Sequence, residues 1–122
     1  MMGDIKYMDM VKEISRLKKE KDALIVAHYY QAPEIQEIAD FVGDSFELAK
    51  KARDNSHERI VVCGVHFMAE SAKILSPDKK VLLPTPDAGC PMADMVDADA
   101  VRALRAQHPG AAFVCYVNTS AE

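Results

Sequence analysis

The stretch ALIVAHYYQ, at residues 23–31, decides the fold that this sequence predicts. Its first five residues are apolar without alternation, which is typical of a strand buried on both faces of a sheet. Strands of this kind occur mainly in parallel sheets, where each strand leads to the next through a helix. The polar residues that begin with His28 indicate that the strand ends there and that a loop follows.

Three further apolar runs predict three more strands, at residues 59–63, 80–83 and 111–115. Helical patterns separate them: apolar residues spaced three apart predict a helix at residues 8–19, and helical stretches cover residues 67–75 and 97–107. Pro33 suits the first turn of another helix, which we expect Gly43 to end. Asp44 or Ser45 is expected to cap the next helix, which continues to residue 52.

The alternation of strands and helices predicts the α/β class, specifically a three-layer α/β/α sandwich with a parallel sheet and right-handed crossovers. A helix leads into an apolar strand with a polar end at residues 24–30 and again at residues 112–118, which suggests an internal repeat. We therefore interpret residues 1–84 as a first α/β unit, and residues 85–122 as a loop and the beginning of a second unit. On this interpretation the sequence is a fragment of a longer protein.

The composition argues against several classes of protein. The 122 residues carry a formal net charge of −4 without a basic stripe, so nucleic-acid binding is not expected. No apolar run approaches the ~20 residues that span a bilayer, and no signal peptide precedes the first helix, so we expect a cytoplasmic protein. The sequence also lacks the glycine-rich and H-E-x-x-H patterns of nucleotide and zinc protease sites.

Polar and reactive residues follow each of the four predicted strands. Because the carboxyl ends of parallel strands meet at one edge of a sheet, we expect these residues to converge there. In chain order they are His28, Tyr29, Tyr30 and Gln31; Gly64, His66 and Met68; Thr85, Asp87, Gly89 and Cys90; and Tyr116, Asn118, Thr119 and Ser120.

Several of these residues also have a purely structural interpretation. His28 could end its strand with a satisfied hydrogen bond, and Tyr29 could pack instead of reacting. Tyr30 could fill a gap between helix and sheet, and Met68 could belong to the core. The role of His66 stays open. No role is assigned to two histidines in predicted surface turns, His57 and His108.

The three cysteines form no C-x-x-C pair, which argues against a disulfide framework and against a zinc ribbon. Cys63 and Cys115 lie in predicted apolar strands, where a free cysteine behaves as a small hydrophobic residue. Cys90 differs because it lies between Gly89 and Pro91 in a predicted loop. A thiolate at that position could bind a metal or attack a carbonyl group.

Two clusters of polar groups lie where helices are predicted to begin, which is where phosphate and carboxylate groups bind. They are Asp44 with Ser45, and residues 118–120. Ordinary N-caps explain Asp44 and Thr119, but they explain Asn118 and Ser120 less well.

Six segments of this chain resemble the N-terminal motifs of the quinolinate synthase family, in the order in which the family has them. Together they extend over nearly the whole chain, and the third and fifth segments form the most specific combination. The segments are AHYYQ (27–31), EIADFVGDS (37–45), VVCGVHFMAES (61–71), VLLP (81–84), AGCPMADM (88–95) and YVNTSAE (116–122).

The resemblance implies an enzyme of NAD biosynthesis that condenses iminoaspartate with dihydroxyacetone phosphate to give quinolinate. It also implies three similar α/β units around a pseudo-threefold axis, and a [4Fe-4S] cluster held by one cysteine from each unit. The iron without a cysteine ligand then acts as a Lewis acid on a substrate hydroxyl. A functional association with the enzyme that supplies iminoaspartate is a further expectation.

The same resemblance implies roles for individual residues. Cys90 corresponds to the first cluster ligand, and His28 and Ser45 to residues that hold a substrate carboxylate. His28 is also a candidate catalytic residue. Tyr30 corresponds to a tyrosine that is a candidate for proton transfer near the reacting carbons. The remaining matches are residues that line the pocket or contact the bound intermediate or product: Met68, Tyr116 and Asn118.

Two of the three cluster cysteines expected of the family are missing, because Cys63 and Cys115 do not match ligand positions. We therefore predict that this chain alone neither holds an intact cluster nor makes quinolinate. Two other hypotheses remain at this point. One is a small zinc hydrolase with a metal site formed by His28, His66 and Cys90. The other is a non-catalytic α/β module that binds a phosphorylated ligand or a partner protein.

Overall fold

The structure is a computed structural model that describes residues 2–122. It alternates helices and strands, and one short 3₁₀ turn, Ala93–Met95, precedes the last helix. The helices are α1 (Met2–Glu20), α2 (Pro33–Ile38), α3 (Ser45–Arg53), α4 (His66–Leu75) and α5 (Ala98–Gln107). The strands are β1 (Ala23–His28), β2 (Phe41–Gly43), β3 (Arg59–Cys63) and β4 (Lys80–Leu82).

The four strands form one parallel sheet in the order β2-β1-β3-β4. β1 is central, and its Val26 lies beside Phe41 of β2 on one side and Val62 of β3 on the other. All four carboxyl ends therefore lie at one edge of the sheet, which confirms the predicted α/β class and parallel sheet.

Both faces of the sheet are covered by helices. On one face α3 and α4 pack together, and the apolar core there contains Val26, Ile60 and Leu48, each fully buried. Ile25 and Ala27 point to the opposite face because side chains alternate along a strand, and they are buried as well. On that face α1 and α2 contact each other and β1. The helices and the sheet thus form three layers.

β2 was not predicted, and the expectation that Gly43 ends a helix was wrong. The helix already ends at Ile38. Asp40 then holds the chain beside β1: its backbone N–H donates to the carbonyl of Ile25 at 2.8 Å, and its carboxylate accepts from the N–H of Ile25 at 2.8 Å. This anchor directs the next three residues into the sheet as an edge strand.

The predicted strand at residues 111–115 was also wrong, because residues 111–122 contain neither helix nor strand. Val114 is 95% exposed, and Cys115 is exposed instead of lying in a core. A strand needs a neighbouring strand to receive its backbone hydrogen bonds, and residues 111–115 pair with none in the part of the chain that the structure describes. The helix that Asn118–Ser120 were expected to begin is likewise not formed.

None of the described helices is both long enough and apolar enough to cross a membrane.

Asp44 begins α3 through a reciprocal pair of hydrogen bonds. Its carboxylate accepts from the backbone N–H of Glu47 at 2.8 Å, and the Glu47 carboxylate accepts from the backbone N–H of Asp44 at 3.0 Å. Gly43 leaves room for this arrangement, since a Cβ atom there would lie 2.7 Å from Glu47 Oε2. The structure thus confirms the prediction that Asp44 is an N-cap.

Asp44→Ala should lower the free energy of unfolding by about 1 kcal/mol, because the backbone N–H of Glu47 at the start of α3 loses its acceptor. Urea denaturation of the purified chain measures this. Asp9→Ala, on the exposed side of α1, is the matched control and should change the free energy of unfolding by less than about 0.5 kcal/mol. Equal effects of the two substitutions would contradict the role assigned to the cap.

Candidate functional site

The candidate site lies at the edge of the sheet where all four strands have their carboxyl ends, here called the carboxyl rim. It consists of the residues that follow the strands: 28–31, 44–45, 64–68 and 85–90. β1 leads into α2 on one face of the sheet, whereas its neighbour β3 leads into α4 on the other face. The two connections diverge and leave a crevice between the strands, which is where open parallel sheets bind ligands.

His28 is the buried polar residue of this crevice, with 7% of its surface exposed. Its Nδ1 accepts a hydrogen bond from the backbone N–H of Tyr30 at 3.1 Å, so the neutral ring carries its proton on Nε2. Burial lowers the pKa of His28, and the nearby Asp44 carboxylate offsets this only in part. At neutral pH His28 therefore presents an uncharged N–H donor.

Two tyrosines cover the His28 ring. The ring of Tyr29 stacks on it with centroids 4.4 Å apart, and that of Tyr30 lies 4.7 Å away at a tilt. Tyr30 is 81% exposed, so it does not fill a gap between helix and sheet. A hydrogen bond with Tyr30 raises the pKa of Tyr29 above its ordinary value. The amide of Gln36 donates to two carbonyls of this loop, those of Tyr29 and Gln31.

Met68 belongs both to the core and to the wall of the crevice. It is 8% exposed and packs within the cluster formed by α3, α4 and the sheet. A Cβ atom on Gly64 would lie 2.8 Å from its sulfur and 3.8 Å from the Cβ of His28. The Met68 sulfur therefore lies over the backbone of Gly64 next to His28, and the structure confirms that Met68 belongs to the core.

Ser45 occupies the first turn of α3 and borders an apolar groove between α3 and α4. The groove has a volume of about 180 Å³. Val117, which lies between Tyr116 and Asn118, borders the same groove. The side chains that line it are Ser45, Phe46, Ala49, Phe67, Ser71, Ile74, Leu75 and Val117. Residues far apart in the sequence thus meet beside Ser45, although Tyr116 itself is 88% exposed.

Cys90 lies in the loop that follows β4. This loop is joined to the start of α4, because the N–H of His66 donates to the carbonyl of Ala88 at 2.8 Å. The N–H of Asp94 donates to the carbonyl of Cys90 at 3.0 Å, and the side chain of Cys90 is half-buried against the core. The thiol is therefore held on the same edge of the sheet as His28.

No group of three or more histidine, cysteine, aspartate or glutamate side chains in the described residues is arranged to hold a metal ion. His28, His66 and Cys90 therefore do not form the three-ligand site that the zinc hydrolase hypothesis requires. Cys63 remains a structural residue of β3, and burial raises the pKa of its thiol, which disfavours the thiolate.

Glu70 was not singled out in the sequence. Its carboxylate lies 2.6 Å from Nδ1 of His66, four residues earlier on α4, and it accepts a hydrogen bond from the N–H of Ala121 at 2.6 Å. The spacing of four residues was a weak signal, because the helix predicted at residues 67–75 did not include His66. The other two histidines are structural: His57 contacts Asp22 at 2.8 Å, and His108 ends α5.

Comparison with known proteins identifies the family of this chain. The family model described as "NadA: Quinolinate synthetase A protein" matches residues 12–122. The chain belongs to the quinolinate synthase family. It is 60% identical over 114 residues to a quinolinate synthase from Aquifex aeolicus, 62% identical over 115 residues to one from Clostridium perfringens, and 55% identical over 114 residues to one from Sulfurihydrogenibium.

These matches cover 93–94% of this chain but 35%, 38% and 37% of the three relatives. The chain thus spans a little more than a third of the length of the quinolinate synthases that it resembles.

The pKa of His28 should be found below the ordinary histidine value of about 6.5. Two-dimensional NMR titration of its ring measures this and should show the neutral form protonated at Nε2. The unfolded chain binds a proton more readily than the folded chain, so the free energy of unfolding should decrease as pH falls below about 6.5. In denaturing urea the pKa of His28 should return to the ordinary value. An unshifted pKa in the folded chain would contradict the argument that burial lowers it.

Proposed function

We propose that this chain is the N-terminal part of a quinolinate synthase, which condenses iminoaspartate with dihydroxyacetone phosphate to quinolinate in NAD biosynthesis. The observation that carries the proposal is the buried, neutral His28 in the crevice of a chain that belongs to this family. A crevice with fixed hydrogen-bond donors suits a small anionic substrate.

His28 and Ser45 are proposed to bind substrate carboxylate. The Nε2–H of His28 is a hydrogen-bond donor. The ring orientation is fixed because Nδ1 accepts a hydrogen bond from the backbone N–H of Tyr30. The hydroxyl of Ser45 lies in the first turn of α3, where backbone N–H groups and the helix dipole favour negative charge. The uncharged Nε2–H donor of His28 is proposed to orient the substrate, and His28 is proposed, with Tyr30, as a catalytic residue.

Tyr30 is proposed to transfer a proton. Its ring lies over His28, and its side chain is open to the solvent side of the crevice. A phenol can give and take a proton during the tautomerisation and dehydration steps that close a pyridine ring. Tyr116 and Asn118 are proposed to contact the intermediate or the product, because the segment that carries them reaches the groove beside Ser45.

Cys90 is proposed as one ligand of a [4Fe-4S] cluster. It fits that role as a thiol in a loop on the carboxyl rim, but the described residues do not supply a complete set of ligands. When bound, such a cluster supplies Lewis-acid activation of a substrate hydroxyl at an iron without a cysteine ligand. The contribution of this chain is the thiolate and the donors around the substrate.

We further propose that residues 1–84 form one α/β unit and that residues 85–122 begin a second. A cytoplasmic location is proposed because all three cysteines are free thiols, as is usual in a reducing compartment. The proposed partners are the two small-molecule substrates and, functionally, the enzyme that supplies iminoaspartate.

A hybrid enzyme tests this function. In the Aquifex aeolicus relative, the 114 matching residues are replaced by the corresponding residues of this chain. After anaerobic cluster reconstitution, we expect the hybrid to form quinolinate and the 122-residue chain alone to form none. Quinolinate formation is measured by chromatography. A folded, cluster-containing hybrid without activity would contradict the proposed function, and activity of the chain alone would contradict the proposed incompleteness.

Cys90→Ser in the hybrid should abolish the visible absorption of the cluster and reduce activity to the background, because one thiolate ligand is lost. Cys115→Ser is the matched control, since this exposed thiol lies outside any strand or helix and should retain both properties. Iron and sulfide analysis measures the cluster content. Retention of the cluster in the Cys90 variant would contradict the ligand assignment.

A further inference from the structure

Glu70 joins two parts of the chain that lie 51 residues apart. One oxygen of its carboxylate, Oε1, contacts His66 Nδ1 at 2.6 Å, and the other, Oε2, accepts from the backbone N–H of Ala121 at 2.6 Å. The Glu70 side chain is 23% exposed, whereas that of His66 is 62% exposed. The Glu70 side chain is thus partly buried, and each of its carboxylate oxygens has a partner.

The segment that Glu70 holds has no regular structure of its own. Residues 111–122 form neither helix nor strand, and most of their side chains are exposed. A second hydrogen bond, from Thr119 Oγ1 to the carbonyl of Ala93, is long at 3.4 Å. Val117 only borders the groove beside Ser45 and is 64% exposed. The short, charge-assisted hydrogen bond to Glu70 is therefore the strongest polar contact between this segment and α4.

We propose that Glu70 is a positioning residue for the C-terminal segment. Its carboxylate fixes Ala121 against the first turns of α4, and this places Tyr116 and Asn118 next to the groove that Ser45 borders. His66 acts through Glu70: by occupying Oε1, its ring leaves Oε2 directed at the Ala121 amide. The contact between Glu70 and Ala121, here called the tether, does not depend on catalysis. Its importance for turnover rests on the function proposed above.

The tether is tested on the 122-residue chain by NMR relaxation. In the unaltered chain the backbone order parameters of residues 119–121 should be near 0.8, and in Glu70→Ala they should fall below about 0.6. Glu70→Gln should retain the order, because its amide oxygen accepts from Ala121 and its NH₂ group donates to His66. Glu58→Ala, which removes a carboxylate that accepts from the side chain of Arg59, is the control and should change nothing in this segment.

Ala121→Pro is an independent test of the tether, because it removes the backbone N–H that donates to Glu70 and leaves α4 intact. It should mobilise residues 116–120 as Glu70→Ala does, even if Glu70→Ala fails to fold. Low order parameters in the unaltered chain would overturn the proposal. So would unchanged order parameters in Glu70→Ala or, should that variant fail to fold, in Ala121→Pro.

The consequence for turnover is tested in the hybrid enzyme. Glu70→Ala should lower kcat/KM between about 10-fold and 100-fold, with cluster content unchanged, because misplaced contact residues reduce catalysis steeply. Glu70→Gln should restore kcat/KM to within about threefold of the unaltered hybrid. Full activity of Glu70→Ala in an active hybrid would overturn the positioning role. An inactive unaltered hybrid with an ordered segment would instead count against the proposed function and leave the tether standing.

Discussion

The parallel pairing of β1 with a strand on each side is the constraint on which the rest of this structure depends. β1 pairs with β2 from Val26 to His28 and with β3 from Ala23 to Ala27, so its backbone is hydrogen-bonded on both edges and its side chains are buried on both faces. A strand in this position cannot shift by one residue without reversing every side chain. The register fixes His28 beside Gly43 at the end of the strand, and thereby fixes the location of the crevice.

The apolar pattern of the sequence predicted strands whose side chains are buried on both faces of the sheet. It did not predict whether a run of residues pairs with a neighbouring strand. β1 and β3 were predictable, since apolar residues on both faces leave few alternatives. β2 has three residues and forms because Asp40 anchors the chain to Ile25, an interaction that no apolar pattern reveals. The run at residues 111–115 is as apolar as β3 but forms no strand, because composition does not say whether a neighbouring strand exists.

The same distinction applies to the site. His28, Tyr29 and Tyr30 are consecutive in the sequence, so their convergence follows directly from the end of one strand. Parallel topology then places Cys90 on the same edge of the sheet, as expected. The contact between Glu70 and Ala121 joins residues that are distant in sequence, and neither carries a local signal for it. Long-range polar contacts of this kind are the part of the structure that cannot be predicted from a single sequence.

The charges around the carboxyl rim are compatible with the proposal that this acidic chain binds an anionic substrate. Asp44, Glu47 and Glu70 all lie near the crevice, and an unpaired carboxylate there would repel an anionic substrate. Each of them instead accepts a hydrogen bond from a backbone N–H, namely that of Glu47, Asp44 and Ala121, respectively. Asp44 and Glu47 also lie at the start of α3, where the helix dipole offsets negative charge. The two side chains proposed to hold the substrate carboxylate, the imidazole of His28 and the hydroxyl of Ser45, carry no positive charge at neutral pH. Neutral donors bind an anion without requiring a buried positive charge, whose desolvation would cost stability in so small a domain.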